Sequence, residues 1–252
     1  MYLFIECVVT NLQIKFIKSL HLKKNRLEYG QYICEGAKIV QELISFKPEY
    51  IEMVYATDEW SLPITAKDIR LERVTFEELE KMSQHATVPS VIALVNFSKK
   101  IPFQFVLQKF HLYLDQIADP GNLGTIIRTA DWYGHKQLFL SPNCVDLYNS
   151  KVIQSAMGSH FRMQCIEINF NDLVANHSFS SIHATAMQGN NLNQVKDIAG
   201  SLVIMGSESH GVSSKLLAAS NSKITIPSFG QTESLNVAIA AGIILHQFTT
   251  NT

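Results

Sequence analysis

The chain has 252 residues, of which 46% are hydrophobic and 17% charged, and its mean hydropathy is +0.07. These values exclude a disordered chain and are typical of a folded globular protein with one large domain or two small ones, and we expect two. The net charge of −1 weighs against a uniformly basic nucleic-acid binder, although it still allows a local basic patch.

Helices and strands alternate in the first 95 residues. The apolar spacing predicts helix, strand, helix, strand, helix and strand, in that order, at Leu12–Leu20, Tyr32–Cys34, Ala37–Ser45, Ile51–Tyr55, Thr75–Met82 and Val91–Val95. The polar, proline-containing segment Asn96–Pro102 then predicts a linker. We therefore expect a small α/β domain at residues 1–98 and a second domain at residues 105–252.

A dense group of basic residues lies between positions 15 and 26. Its last members, Lys23, Lys24 and Arg26, are candidates for contacts with nucleic-acid phosphates. The alternative interpretation is the solvated face of an amphipathic helix, and the residues alone favour neither.

The second half of the chain also alternates between the two element types. Apolar runs predict strands at Phe110–Leu114, Gln137–Leu140, Phe161–Ile168, Ile182–Met187, Leu202–Met205 and Lys223–Ile226. Segments of helical character separate them, which indicates a mostly parallel sheet covered on both faces. Ligands bind beyond the carboxyl ends of such strands, so the informative residues should follow the strands.

The first informative loop is Asp119–Arg128, which leads from a strand into a helix ending near Gly134. Its glycines allow the backbone to approach a ligand closely. Arg128, about one turn inside the helix, could form a two-pronged contact with a phosphate. The alternative is an ordinary strand-to-helix turn with a surface arginine.

The second loop, Met205–Ser213, is rich in glycine and follows a buried strand. It lacks the phosphate-cradling pattern GxxxxGK[ST], and Glu208 stands where an anion would otherwise bind. A carboxylate suits a cationic or hydroxyl-bearing ligand better. Alternatively, Glu208 lies near the start of the next helix, where the helix dipole favours a negative charge.

The third loop begins at Ile226 and runs into an apolar segment. Thr232 and Glu233 can begin a helix, so Ser234 and Asn236 are expected in its polar first turn. The segment Val237–Phe248 is apolar on nearly every face, which predicts burial in a core or in a subunit interface.

The sequence lacks the patterns that are typical of several other kinds of site or segment. The four cysteines, Cys7, Cys34, Cys144 and Cys165, are widely spaced and suggest buried thiols, and the nine histidines show no HExxH or HxxxH spacing, so no metal site is expected. No apolar run is long enough to span a bilayer and no secretory signal is evident, so the expected location is the cytoplasm. No GxGxxG follows a predicted strand, which weighs against a nucleotide-dependent oxidoreductase.

Together, the three loops resemble the three motifs of the SpoU (TrmH-like) RNA ribose 2′-O-methyltransferases of the SPOUT class. The matching patterns, in order, are Asn122-x-Gly124-x-x-x-Arg128, Gly206-x-Glu208-x-x-Gly211 and Ile226-Pro-x-x-Gly230-x-x-Glu233-Ser-Leu-Asn-Val237. Each motif is weak alone, but the ordered set is specific. Residues 146–158 and the stretch from Lys23 to Gly36 are similar to further parts of the family, the latter to the start of its substrate-binding domain.

The resemblance implies a Rossmann-like catalytic domain containing a trefoil knot, S-adenosylmethionine (AdoMet) as cofactor, and a homodimer packed through the last helix. It further implies that Gly206, Ile226 and Leu235 contact the cofactor. The expected catalytic residues are Arg128, Asn122, Glu208, Ser234 and Asn236. The expected substrate is rRNA or, alternatively, tRNA.

Two positions depart from the family pattern. Ser207 stands where the family usually has Asn, and Ser228 stands where it often has Met. Both border the expected cofactor site, so both bear on cofactor affinity. A non-catalytic RNA-binding or ribosome assembly factor with the same fold is the alternative function, and the matching Arg128 and Glu208 weigh against it.

Overall fold

A computed structural model describes residues 9–98, 103–196 and 198–250. The helices are α1 (Asn11–Ser19), α2 (Lys23–Tyr29), α3 (Ala37–Phe46), α4 (Phe76–Met82), α5 (Pro120–Trp132), α6 (Ser150–Ala156), α7 (Phe170–Asn176), α8 (Ser214–Ala219) and α9 (Val237–Thr250). The strands are β1 (Gln31–Glu35), β2 (Ile51–Ala56), β3 (Leu71–Arg73), β4 (Val91–Asn96), β5 (Phe110–Asp115), β6 (Gln137–Leu140), β7 (Gln164–Glu167), β8 (Ile182–Asn191), β9 (Ser201–Gly206) and β10 (Ser222–Thr225). Short 3-10 helices lie at Pro48–Tyr50, Ile64–Ala66, Ser159–Phe161 and Leu192–Gln194.

The described chain divides into two compact units. The first comprises residues 9–98 together with Tyr148–Phe161, and the second comprises residues 103–147 and 162–250. The helix α6 therefore belongs to the first unit, although it lies in sequence between two strands of the second. Of the predicted linker, Asn96 ends β4, and residues 99–102 lie outside the described ranges.

The first unit is built on a four-stranded sheet in the order β1-β4-β2-β3. Strand β4 pairs antiparallel with β1 and β2, and β3 pairs parallel with β2. Successive side chains of a strand point to opposite faces, so the sheet contributes to two cores. One core contains Val40 of α3 and Ile153 of α6, and the other contains Ile17 of α1 and Leu79 of α4.

Local sequence explains where these helices begin. Thr10 with Gln13, and Thr75 with Glu78, form capping boxes at the starts of α1 and α4. The predicted helix over Leu12–Leu20 is confirmed, but a separate helix, α2, follows it and was not predicted. The short strand β3 was also missed, because three residues carry too little periodicity to be recognised.

The second unit contains a six-stranded sheet in the order β10-β8-β9-β5-β6-β7, and every neighbouring pair is parallel. Its central strands β5 and β9 are buried along their whole length, as parallel strands covered on both faces should be. The predicted α/β class with a parallel sheet in the second half of the chain is therefore confirmed.

Three predicted boundaries in the second half were wrong. The strand predicted over Phe161–Ile168 begins only at Gln164, because Phe161 ends a 3-10 turn and joins the core of the first unit. Strand β8 continues to Asn191, beyond its apolar residues. The helix predicted to begin at Thr232 begins instead at Val237. Apolar periodicity does not reveal which core a residue joins, and it does not detect exposed polar extensions of a strand.

The described part of the chain has no helix that is long and apolar enough to cross a membrane. Within the same ranges, no group of three or more His, Cys, Asp or Glu side chains is placed to hold a metal ion. Cys34 and Cys144 are buried as expected, Cys165 is half-buried, and Cys7 lies outside the described residues.

Candidate active site

The first loop joins β5 to α5. The Asp119 side chain accepts a hydrogen bond from the main-chain N of Asn122 at 2.8 Å and so caps the helix, which begins at Pro120. Proline suits this first position because its missing N–H is not needed there. Arg128 is therefore about two turns inside α5, rather than the one turn predicted. Its side chain is exposed and forms no hydrogen bond or ion pair with another described residue.

The second loop folds back on the end of β9. A Cβ atom added at Gly206 would lie 1.9 Å from the carbonyl carbon of Gly211, so only glycine allows this close approach of two backbone segments. Gly211 itself has a φ of 67°, which also favours glycine. Its main-chain N donates to the carbonyl of Ser207 at 2.8 Å.

The carboxylate of Glu208 joins all three loops. Its Oε1 accepts hydrogen bonds from Nδ2 of Asn122 at 2.9 Å, from Nδ2 of Asn236, and from the main-chain N of Val237 at 3.3 Å. Nδ2 of Asn236 also donates to Oδ1 of Asn122 at 3.0 Å. Glu208 does not stand at the start of the next helix, as the alternative interpretation required, because α8 begins only at Ser214.

Asn236 has a second role at the start of α9. Its Oδ1 accepts hydrogen bonds from the main-chain N of Ala238 at 2.9 Å and of Ile239 at 3.4 Å. Asn236 is therefore the N-cap of this helix, whereas the sequence predicts it inside the first turn. The error has a clear cause, since Thr232 and Glu233 are good capping residues but lie in an exposed loop.

A cavity of about 880 Å³ lies beside this hydrogen-bonded cluster. Gly206, Ile226 and Leu235, the three expected cofactor contacts, all line it, and so do Ser207 and Ser228. Of the expected catalytic residues, Glu208 and Ser234 also line the cavity, whereas Asn122, Arg128 and Asn236 do not. The structure therefore brings together Asn122, Glu208 and Asn236 through direct hydrogen bonds and leaves Arg128 separate from them.

Sequence reasoning missed one wall of the cavity. The strand β8 supplies Thr185, Ala186 and Met187, and Leu192 follows it. These residues belong to no recognised motif, and the only signal that could have found them is their place at the carboxyl end of the strand predicted over Ile182–Met187. Phe229, in the third loop, was also overlooked and lines the same cavity.

The basic residues expected to contact RNA do not form one exposed group. Lys23 and Lys24 are exposed on α2. Arg26 is only 5% exposed, and its guanidinium donates to the main-chain carbonyls of Leu20 at 2.9 Å and His21 at 2.8 Å. The expectation that Arg26 lies on an RNA-facing surface was therefore wrong, because its charge is used to satisfy carbonyls at the end of α1.

Two family models match the sequence, one on either side of the predicted linker. The sequence model of the SpoU rRNA Methylase family matches residues 109–246, and that of the MRM3-like substrate binding domain matches residues 11–93. The chain is 29% identical to the 23S rRNA (guanosine(2553)-2′-O)-methyltransferase RlmP of Bacillus subtilis, over 94% of this chain and 95% of the relative.

Solved structures resemble the chain over nearly its whole length. A TrmH-family protein from Porphyromonas gingivalis is 29% identical, with a TM-score of 0.83 over 96% of this chain and 98% of its own. An AdoMet-bound rRNA methyltransferase from Sinorhizobium meliloti is 25% identical, with a TM-score of 0.82 over 95% of each chain. Because the family's sequence model covers more than half of the chain and spans all three loops, the protein belongs to the SpoU rRNA methylase family.

Proposed function

We propose that this protein transfers a methyl group from AdoMet to a ribose 2′-hydroxyl of ribosomal RNA. The observation that carries the proposal is the convergence of the three motif loops on the Glu208 carboxylate, beside a cavity lined by Gly206 and Ile226. The Bacillus subtilis relative, named as a 23S rRNA 2′-O-methyltransferase, supports the substrate class. The AdoMet-bound relative from Sinorhizobium meliloti supports the cofactor.

The cavity suits a cofactor that carries a positive sulfonium. Its described lining includes the carboxylates of Glu208 and Glu233 and contains no Lys or Arg. Leu192 and Val237 provide apolar surface, and the volume of about 880 Å³ lies within the range that small-molecule sites commonly have. The hydroxyl of Ser207, where the family usually has Asn, still offers a polar group at this edge.

Methyl transfer from AdoMet requires little covalent chemistry from the protein's own residues. AdoMet, when bound, supplies the methyl group on a sulfonium that leaves readily. The protein's residues then have to align the ribose oxygen, and such alignment can supply much of the rate acceleration. Because a guanidinium stays protonated, we propose that Arg128 orients the neighbouring phosphate and stabilises the forming alkoxide. Asn122, Ser234 and Asn236 position the ribose, and Glu208 holds the loops together.

RNA capture is assigned to the first unit. Lys23 and Lys24 project from α2 into solvent, where they can neutralise phosphates. The match of residues 11–93 to a substrate-binding domain supports this assignment. We also propose that the protein acts in the cytoplasm.

A homodimer is the second part of the proposal. Helix α9 buries Ala241 and Ile244 inside its own unit but leaves Ile239 and Ile243 exposed, one turn apart. Helix α5 packs beside α9 and adds Trp132, which is 85% exposed. An apolar surface across two helices is best covered by a second copy of the same surface, as in a two-fold dimer.

We also propose that the second unit contains a trefoil knot. It is supported by the tight return of the second loop onto Gly206, where two backbone segments leave no room for a Cβ. In addition, β8 and β5 flank β9 in the sheet, so the chain crosses over repeatedly in this part of the fold.

The test is methyl transfer to a defined RNA. The full chain is incubated with methyl-labelled AdoMet and an unmodified 23S rRNA transcript from the same organism, and the label is then mapped by resistance to alkaline cleavage. A single ribose-methylated nucleotide is the expected result. If the protein binds AdoMet in calorimetry but labels no RNA, the non-catalytic assembly factor becomes the better function and the proposal fails.

A further inference from the structure

The third loop exposes an aromatic ring at the mouth of the cavity. Phe229 is 97% exposed, and residues 228–236 around it are exposed throughout. Leaving a phenylalanine in water forgoes the stabilisation that its burial would bring. Within the described chain, the ring of Phe229 packs against no other aromatic ring. Packing of the second unit therefore does not explain why an apolar aromatic side chain stands at this position.

The charges around the cavity limit what this ring could recognise. The described lining holds Glu208 and Glu233 but no Lys or Arg, so the cavity offers a phosphate no lysine or arginine side chain to bind. What it can offer a nucleotide is a flat apolar face. Bases of every kind stack on aromatic side chains, which is how many proteins bind unpaired nucleotides.

Resting on the proposed function, we propose that Phe229 is a nucleobase-stacking residue at the mouth of the cavity. The base belongs either to the target nucleotide, turned toward the cavity when its ribose is methylated, or to the adenine of the cofactor. The flanking Gly230 leaves the loop open, since a Cβ added there would meet no atom within 4 Å. Because Phe229 is itself almost fully exposed, a planar ligand can approach the ring without displacing protein atoms.

The experiment compares four variants of the full chain. Phe229→Ala removes the ring, Phe229→Leu keeps apolar bulk without a flat face, and Phe229→Tyr and Phe229→Trp keep an aromatic face. The matched control is Leu107→Ala, because Leu107 is also highly exposed in the second unit (86%) but does not line the cavity. Two constants are measured: the Kd for AdoMet by calorimetry, and the Kd for the unmodified 23S rRNA transcript by filter binding with S-adenosylhomocysteine present.

Loss of one stacked base should weaken binding about 5- to 100-fold in the Ala and Leu variants, with Tyr and Trp close to wild type. A raised Kd for RNA alone identifies the target nucleotide as the source of the base, and a raised Kd for AdoMet identifies the adenine. The proposal is overturned if Leu binds as wild type does, if Ala changes neither Kd, or if Ala changes the oligomeric state in light scattering.

Both constants report binding, so they stay informative if the wild-type protein transfers no methyl group. That result would contradict the proposed function alone. A Leu107→Ala variant as weak as Phe229→Ala would show that any exposed apolar residue of this unit matters equally, which also overturns the specific role of the ring.

Discussion

Arg128 differs from the other residues of the candidate site because its charge is left available. Asn122, Glu208 and Asn236 bond to one another, whereas the Arg128 guanidinium is exposed and bonds to no other described side chain. A flat guanidinium can contact a phosphate and a 2′-oxygen together, and a lysine ammonium cannot reproduce that fork.

We therefore expect Arg128→Lys to be nearly as inactive as Arg128→Ala, each losing about a hundredfold in single-turnover rate. AdoMet affinity should change little in either variant, because Arg128 does not line the cavity. Rapid-quench methylation and calorimetry measure the two quantities. A Lys variant with near wild-type rate would show that positive charge alone is sufficient.

Asn236 combines two roles that one substitution can separate. Its Oδ1 caps α9, and its Nδ2 donates to Asn122 and Glu208. Asn236→Ala loses both and should lower the free energy of unfolding by about 1 kcal/mol. Asn236→Asp keeps the cap but sets one carboxylate against another, so repulsion offsets part of the stability that the cap provides, and we expect a methylation rate about tenfold lower or worse. Urea unfolding and single-turnover assays test this, and an active Asp variant would show that the amide bridge is dispensable.

At the scale of elements, the corner between α1 and α2 depends on a buried cation. Arg26 donates to carbonyls at the end of α1, while Lys23 and Lys24 on the same short helix face solvent. Arg26→Met should destabilise the protein by about 2–4 kcal/mol because it leaves buried carbonyls without donors.

In contrast to Arg26→Met, the double variant Lys23→Ala with Lys24→Ala should affect RNA binding and not stability. We expect unchanged stability but weaker binding of the 23S rRNA transcript and a salt slope reduced by about two. Filter binding from low to high salt measures that slope, and thermal unfolding provides the control. An unchanged slope would return both lysines to the interpretation of a solvated helix face.

The N-terminal end of β5 and its neighbours bury two histidines in the second unit. Burial lowers the pKa of His111 to about 4, helped by the nearby His177, and burial lowers the pKa of His135 to about 4, helped by His111. Both folded pKa values lie below the unfolded value of about 6.5, so the unfolded state binds more protons as the pH falls. Keeping the two buried histidines neutral therefore costs no stability above pH 6.5. As the pH falls from 6.5 to 4, protonation favours the unfolded state and the folded protein loses stability.

The expected loss is on the order of 3 kcal/mol per histidine. Urea unfolding at several pH values should show the decline, and His111→Gln with His135→Leu should flatten it relative to wild type. Comparing variant with wild type cancels the carboxylates that titrate below pH 5. Equal pH slopes in the two proteins would contradict the assignment.

At the scale of the whole molecule, the exposed apolar surface of α5 and α9 predicts the oligomeric state. Ile239→Glu and Ile243→Glu should weaken association by about a hundredfold or more, because an unpaired charge would be buried at the interface. Ile244 does not suit this test, since it is buried inside its own unit. Light scattering should show a wild-type dimer and a monomeric variant, with Leu107→Glu as the charged control. A monodisperse wild-type monomer would refute the dimer.

The whole chain is also needed for the first unit. Ile153 and Phe161, which lie between β6 and β7 in sequence, join the core of that unit. A fragment of residues 1–98 would lack both side chains and leave apolar surface in water. Binding tests of the first unit therefore belong on the full chain.

The sequence by itself determined the α/β class, the parallel sheet of the second half, and the three loops with Glu208 among them. Periodicity and glycine-rich turns after strands are local signals, so they can be interpreted without the fold. The sequence also determined that the motifs occur in the family's order, which pointed to the chemistry.

Only the tertiary structure decided which residues meet. It buried Arg26, moved the start of α9 to Val237, assigned Phe161 to the other core, and set Nδ2 of Asn122 2.9 Å from a carboxylate 86 residues away. A hydrogen bond between distant residues depends on how strands and loops are placed in space. Burial likewise depends on every element that covers a side chain. The spacing of residues along the chain therefore determines neither the long-range hydrogen bonds nor the burial of a side chain.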